Sequence, residues 1–379
     1  MATSAIGPGF LTQTAVFTAD MMASFGFVIL ISLFIDIGAQ VNVWSIVAVS
    51  RKRAQDIANM VFPGLGYALA GLVAFGGLVF NIGNIAGCGL GLNALTGIPV
   101  PTGSMISCVV ALGIFWFRNA GSVLDHAARL LGLIMIGLTL YIAFSSHPPV
   151  QEALFRTVWP EEIDALKIVT VVGGTVGGYI TFAGAHRLLD AGISGKESLQ
   201  AVKRSAVTGI VVTTFMRYIL FLAALGVVWS GVELDKGNPA GSVFRHAAGN
   251  IGYRFFGLVM WSAAITSVIG ASFTSVSFLK TLSPFIRQKE RWIISVFIIL
   301  STIIFLLLGN PVLLLIAAGA LNGLILPVAL AVMLIAARKV KITDAYQHPL
   351  WLQSTGWVVV IAMSWMGGML IIDGWKKIF

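Results

Sequence analysis

Three ionisable residues stand inside runs of apolar sequence, a setting where charge is expensive and usually has a task. Asp20 follows Ala15-Val16-Phe17-Thr18-Ala19. Asp36 lies in Leu33-Phe34-Ile35-Asp36-Ile37-Gly38, and Arg217 in Phe215-Met216-Arg217-Tyr218. Asp20 could bind a cation, pair with an amine or exchange a proton. It could equally be a structural hydrogen-bond acceptor near the end of a short span. Asp36 and Arg217 could neutralise each other, or either could pair with Asp20, and the sequence leaves these pairings open. An arginine so placed could also hold a small carboxylate through two parallel N–H donors. All three are candidates for ion coupling or gating.

A second set is polar without charge. Asn81 and Asn84 are three residues apart, so they share a helix face. They would give a neutral polar lining or an ordinary hydrogen bond between helices. Gly173-Gly174-Thr175-Val176-Gly177-Gly178 puts four glycines in six residues. Each costs about 1 kcal/mol relative to alanine in a helix, so a break is expected. In a membrane such a break must line a cavity or be packed by protein. Thr175, Gly177, Gly178, Tyr179 and Thr181 would then place free backbone groups and hydroxyls around an anion or carbonyl. The competing reading is close helix packing through Gly174 and Gly178 at Gly-x-x-x-Gly spacing. Thr274 and Ser275, within a run that also holds Ser267, Ser272 and Ser277, could coordinate a coupling ion such as sodium or bond back to their own helix. Cys88 and Cys108 lie in apolar runs and read as small hydrophobes. No nucleophile–base pair or metal-ligand motif stands out, so neither an enzyme nor a cofactor is implied.

The elements that would position these residues follow from composition. Hydrophobic residues make up 58% of the 379, charged residues only 10%, and the mean hydropathy is +0.94. Soluble domains carry about 25% charged residues, so lipid must be the outer solvent. The apolar runs are long and continuous, as in Ile293–Leu308 and Pro311–Ala337. They lack the alternation of barrel strands, so helices satisfy the backbone. A helix needs about 20 apolar residues to cross. On that ruler about eleven spans fall near 9–23, 27–49, 62–95, 99–117, 125–145, 166–188, 205–229, 252–281, 292–308, 311–337 and 352–373. The first, with Gly7-Pro8-Gly9 and then Thr18-Ala19-Asp20, and the sixth look interrupted. Breaks five spans apart point to two inverted halves with a site at the midplane. Repeat one would run about 7–145, repeat two about 166–337, with an extra helix at 352–373, all in one domain.

The net charge of +9 does not indicate nucleic acid. The basic residues fall in short clusters between apolar runs: Arg51-Lys52-Arg53, Lys203-Arg204, Arg287 to Arg291 and Arg338-Lys339. By the positive-inside rule these mark cytoplasmic loops, which puts the N-terminus in the cytoplasm. The long loops 146–165 and 230–251 gather acids and fall outside. A bacterial inner membrane is the expected location. No ATPase P-loop is visible, so uphill movement would draw on an ion gradient.

The order and spacing of several motifs resemble the NRAMP family, the natural-resistance-associated macrophage proteins. They are Gly7-Pro8-Gly9-Phe10-Leu11, Phe25-Gly26-Phe27, Gly91-Leu92-Asn93, Gly97-Ile98-Pro99, Asn322 and Leu326-Pro327. The similarity spans nearly the whole chain. It implies an all-α integral membrane protein of LeuT-type fold and a proton-coupled divalent-metal transporter. The family's chemistry does not carry over. Its Asp-Pro-Gly-Asn, counted from Gly-Pro-Gly, falls on Thr18, Ala19, Asp20 and Met21. Its Met-Pro-His falls on Gly177, Gly178 and Tyr179, and its acidic pair in span three on Asn81 and Asn84. A dehydrated divalent cation needs oxygen, nitrogen or thiolate donors with compensating charge, and at most Asp20 remains. The expectation is a secondary transporter that has lost its metal site and moves a small polar organic solute, amino-acid-like or a small carboxylate, coupled to H+ or Na+. Thr18, Asp20, Asn81, Asn84, Thr175, Gly177, Gly178 and Tyr179 are the candidate binding residues. A weak Mg2+ or Mn2+ site and a channel-like or non-transporting subunit are the alternatives.

Overall fold

The computed structural model describes residues 7–117, 120–280, 282–339 and 346–378, with side chains for all of these except 120–129 and 373–378. In chain order the helices are α1 (Pro8–Met21), α2 (Phe25–Ser50), α3 (Ala54–Val61), α4 (Leu65–Thr96), α5 (Val100–Trp116), α6 (Ala120–Ser145), α7 (Val150–Val158) and α8 (Ala165–Thr175). They continue as α9 (Gly178–Asp190), α10 (Leu199–Trp229), α11 (Pro239–Leu279), α12 (Pro284–Gln288), α13 (Glu290–Leu308), α14 (Pro311–Ala336) and α15 (Leu350–Ile378). No strand occurs among the described residues.

Local sequence explains the ends. Proline opens α1, α12 and α14, where its missing N–H costs nothing. Asn238 and Asn310 cap α11 and α14 by accepting from the backbone nitrogens of Gly241 and Leu313. Gly97 and Gly309 close α4 and α13 in the left-handed conformation, with φ of 82° and 73°.

Every predicted span corresponds to helix. Eight helical runs are long and apolar enough to cross a bilayer, or nine if the bent pair Leu130–Ser145 and Val150–Val158 counts as one span. The first run, Pro8–Ser50, joins two predicted spans, and Val100–Trp116 is a shorter apolar helix. Three expectations need correction. The chain does not break at Thr18–Asp20. Helix α1 continues to Met21, and the bend comes at Met22 (φ 50°), followed by a tight 3-10 turn over Met22–Ser24. The segment 230–251 is largely helical rather than loop, because α11 begins at Pro239 and only kinks at Gly249 (φ 63°). The segment 146–165 likewise contains α7. A hydropathy ruler misses both because neither stretch is apolar enough to register.

Glycine makes the bundle tight where helices cross. A Cβ on Gly91 of α4 would lie 2.6 Å from the backbone nitrogen of Trp261 in α11, and one on Gly257 would lie 2.7 Å from the carbonyl of Gly91. Helices in lipid associate by this kind of backbone approach. Gly87 receives Pro8, so the start of α1 rests on α4.

Candidate functional site

The chain leaves helical geometry at Val176 and Gly177, between α8 and α9. Glycine is needed there for space as much as for flexibility. A Cβ on Gly173 would lie 1.8 Å from the carbonyl of Gly319, one on Gly177 2.3 Å from the carbonyl of Gly173, and one on Gly178 2.2 Å from Ile325. The break is therefore pressed against α14 on one side. Asn322 of α14 braces it. Its Oδ1 accepts from the backbone nitrogen of Tyr179 at 3.2 Å, while its Nδ2 donates to the carbonyls of Gly76 and Ala318, both at 3.0 Å. One buried amide thus satisfies an orphan N–H at the start of α9.

The other side of the break opens on a cavity of about 400 Å³. Gly174, Thr175, Val176 and Tyr179 line it from the break, and Gly7, Gly9 and Phe10 from the start of α1. Gln40 and Trp44 face it from α2, Thr213 from α10, and Thr266, Ser267 and Thr274 from α11. The charged residue in the lining is Arg187 of α9. A Cβ on Gly270 would stand 3.0 Å from its Nη2, so α11 makes room for this guanidinium. The lining combines aromatic walls, hydroxyls, an amide and one cation.

The candidates divide into those the structure brings to the cavity and those it does not. Thr175 and Tyr179 line it, as does Thr274, whereas Gly177 and Gly178 form the break behind it. The hydroxyl of Thr175 donates back to the carbonyl of Val171 at 2.7 Å and that of Thr274 to Gly270 at 2.9 Å. Tyr179 donates to the carbonyl of Ala271 at 3.3 Å and packs near Phe80. The hydroxyl of Thr181 is bonded to the carbonyl of Val176.

Asn81 and Asn84 are buried away from the cavity. Asn81 donates to Ser272 and Ser301, each at 3.1 Å, linking α4 to α11 and α13. Ser275 is buried against Gly77. Thr18 is buried and donates to the carbonyl of Thr14 at 2.6 Å. Asp20 lies at the far end of α1 with its side chain 51% exposed and its carboxylate 3.6 Å from Lys167 Nζ, which also meets Asp164 at 3.3 Å. It pairs with neither Asp36 nor Arg217. Those two are fully buried, and Arg217 lies 4.5 Å from the Phe10 ring centre.

Several cavity residues escaped the sequence reading. Trp44 had a signal as a residue with a polar N–H well inside an apolar run, more than a turn from the end of its helix. Its Nε1 donates to the carbonyl of Thr181 at 2.9 Å, and its ring fills the gap left by Gly184. Gln40 had a similar signal as a polar residue in an apolar run. Arg187 stands near the end of an apolar run and gave no such signal, and only the tertiary packing puts it in the cavity lining.

The sequence matches the natural resistance-associated macrophage protein-like family over residues 1–373. A relative from Bacillus subtilis (strain 168), named as the uncharacterized membrane protein YcsG, is 60% identical over 367 residues, covering 97% of this chain and 91% of the relative. Among solved structures, the Eremococcus coleocola manganese transporter superposes with a TM-score of 0.69 at 13% identity, over 97% of this chain and 83% of that one. MhsT in complex with L-phenylalanine superposes with a TM-score of 0.60 at 17% identity, over 100% of this chain and 97% of that one. The chain belongs to the natural resistance-associated macrophage protein-like family and is a membrane transporter of LeuT-type fold.

Proposed function

We propose that this transporter has lost the family's transition-metal site and moves a small polar organic solute, amino-acid-like or a small carboxylate, by alternating access driven by a gradient of H+ or Na+. The observation that carries this reading is the lining of the cavity at the α8–α9 break. A volume of about 400 Å³ bounded by Phe10, Trp44, Phe80, Tyr179 and a ring of hydroxyls suits an organic molecule. The charge it contributes is the cation Arg187, which repels a divalent metal. Among the described residues no group of three or more His, Cys, Asp and Glu gathers to hold a metal ion.

The packing also favours a different registration of helix one. Gly7-Pro8-Gly9-Phe10, which shares its second and third residues with Asp-Pro-Gly-Asn, faces the α8–α9 break. Thr18 stands about 16 Å further along the helix axis at 1.5 Å per residue. In this registration the two liganding positions are Gly7 and Phe10, whose side chains offer a metal no donor atom. The same fold is seen in the Eremococcus manganese transporter and in MhsT in complex with L-phenylalanine, so the fold alone does not choose the cargo.

Repeat one is placed at 7–145 and repeat two at 166–337, with α15 added. The clusters Arg51 to Arg53 and Arg338-Lys339 are placed in the cytoplasm of the bacterial inner membrane, with the N-terminus inside. Cysteines introduced at Lys52 and Glu162 test the orientation: an impermeant thiol reagent on intact cells should label only position 162.

A melting-temperature screen of the purified protein tests the function. Ligands that bind only the native state raise the melting point. Small organic acids or amino acids should raise it and Mn2+ and Mg2+ should not. Stabilisation by the metals alone would refute the reading.

A further inference from the structure

Asp36 of α2 and Arg217 of α10 are 1% and 2% exposed. Each is the opposite charge that acts on the other. Yet they do not touch: no N···O approach of 4.0 Å or less joins them. Both oxygens of Asp36 lack a hydrogen-bond partner, as do Nε and Nη2 of Arg217. The engaged nitrogen is Nη1, which reaches the carbonyl of Val171 at 3.5 Å. What remains open is the side-on edge of the guanidinium, the parallel pair of N–H groups that matches a carboxylate. A buried charge left without a hydrogen-bonding partner is costly, so a group that could accept from this edge and meet the Asp36 carboxyl would be favoured here.

The position suits a solute. Gln40, one turn after Asp36 on α2, and Thr213, one turn before Arg217 on α10, both line the cavity. Phe10 stands between: it lines the cavity and its ring packs on the guanidinium. The charged pair is therefore one helical turn beyond the cavity, with the Phe10 ring between the cavity and Arg217.

We infer that Arg217 and Asp36 form the carboxylate and proton site of the transporter, reached from the cavity when Phe10 moves aside. This rests on the organic-solute reading and narrows it to carboxylates. The charge balance fixes the coupling. With Asp36 ionised and Arg217 charged, the empty pair is neutral. Adding a carboxylate to the Arg217 fork would leave one uncompensated negative charge in the membrane interior. A proton from water on the loading side binds an Asp36 oxygen as the anion arrives, giving a neutral carboxylic acid that can donate to the anion. Both leave together on the other side, the proton returning to water. The driving ion is thus H+, in a ratio of about one proton per anion.

Calorimetry on the detergent-purified full chain tests this with lactate, 2-oxobutyrate and benzoate, each beside its amide, in buffers of different ionisation enthalpy. The inference expects a carboxylate to bind where its amide does not, with about one proton taken up per anion. Asp36→Asn should bind the anion without proton uptake, and Arg217→Gln should weaken binding about tenfold or more. The double variant Asp36→Asn/Arg217→Gln removes both charges, so it should fold yet bind no carboxylate. The proton count on the unaltered protein needs no variant to fold. Carboxylates that bind no better than amides, binding without proton uptake, or binding undiminished in Arg217→Gln would each overturn the inference. Amides binding where carboxylates fail would leave the organic-solute reading standing. Binding of Mn2+ or Mg2+ alone would remove both.

Discussion

The side-chain oxygen of Asn322 lies 3.2 Å from the backbone nitrogen of Tyr179, so α14 holds the first turn of α9 in place across the break. The same amide donates to Gly76 on α4 and to Ala318 on its own helix. Removing it leaves the buried N–H of Tyr179 without an acceptor and takes a second donor from the carbonyl of Gly76. An unsatisfied buried group costs about 1–3 kcal/mol. Asn322→Ala should lower the melting temperature and weaken solute binding together. Asn322→Asp keeps the acceptor for Tyr179 and should fall between. An alanine variant that melts like the unaltered protein would remove the brace from the account.

The contact between α8 and α14 is made of glycines, and two alanine variants measure how tight it is. At Gly173 a new Cβ would overlap the Gly319 carbonyl at 1.8 Å. Overpacking of this kind typically costs about 1–3 kcal/mol or more. At Gly113 of α5 no atom lies within 4 Å, so alanine should be neutral or slightly stabilising through helix propensity. Thermal melts of Gly173→Ala and Gly113→Ala check the contrast. Equal melting points would mean that the break is not pressed against α14.

Asp20 offers a test of position against residue type. It stands half exposed beside Lys167, which has Asp164 as a second partner. Exposed pairs of this sort contribute about 0–1 kcal/mol. Asp20→Asn should leave the melting point and the solute uptake rate nearly unchanged. A loss of uptake of about tenfold or more would return Asp20 to the transport site.

Much of this was legible in the sequence, and the rest for stated reasons was not. The glycines at 173, 174, 177 and 178 announced a break because helix propensity and packing room are properties of the residues themselves. The burial of Asp36 and Arg217 followed from their apolar flanks. Asp20 misled because a short, bent first helix puts its end near the surface, and the bend at Met22 has no glycine or proline to signal it. Arg187 and Gln40 depend on which helices face each other, and periodicity on one helix cannot supply that. The role of Asn81 turned on Ser272 and Ser301, which lie 191 and 220 residues away.

His348 gives a pH test at the junction of α15 with the bundle. Its Nε2 stands 2.7 Å from Asn42 Oδ1. The Asn42 amide nitrogen donates to Gly38 and Leu352, so its oxygen must accept and Nε2 carries the proton. Burial, and then the charge of Lys203, push the His348 imidazole down to about 4. A histidine ordinarily titrates near ~6.5. The native state therefore binds fewer protons than the unfolded chain between those values. Its contribution to stability is complete above ~6.5 and fades as pH falls toward about 4. His348→Gln keeps a donor for Asn42 and removes the titration. The unaltered protein should lose more melting temperature between pH 7 and pH 5 than the variant does. Parallel curves would contradict the assignment.

On the proposed reading, the cavity at the α8–α9 break takes an organic solute in place of a bare metal ion. Uptake into proteoliposomes under an inward H+ gradient, measured side by side for 54Mn2+ and for radiolabelled small carboxylates and amino acids, addresses it directly. The account predicts gradient-driven accumulation of at least one organic solute, unaffected by excess Mn2+, with no accumulation of the metal. Accumulation of Mn2+ with none of any organic solute would contradict it.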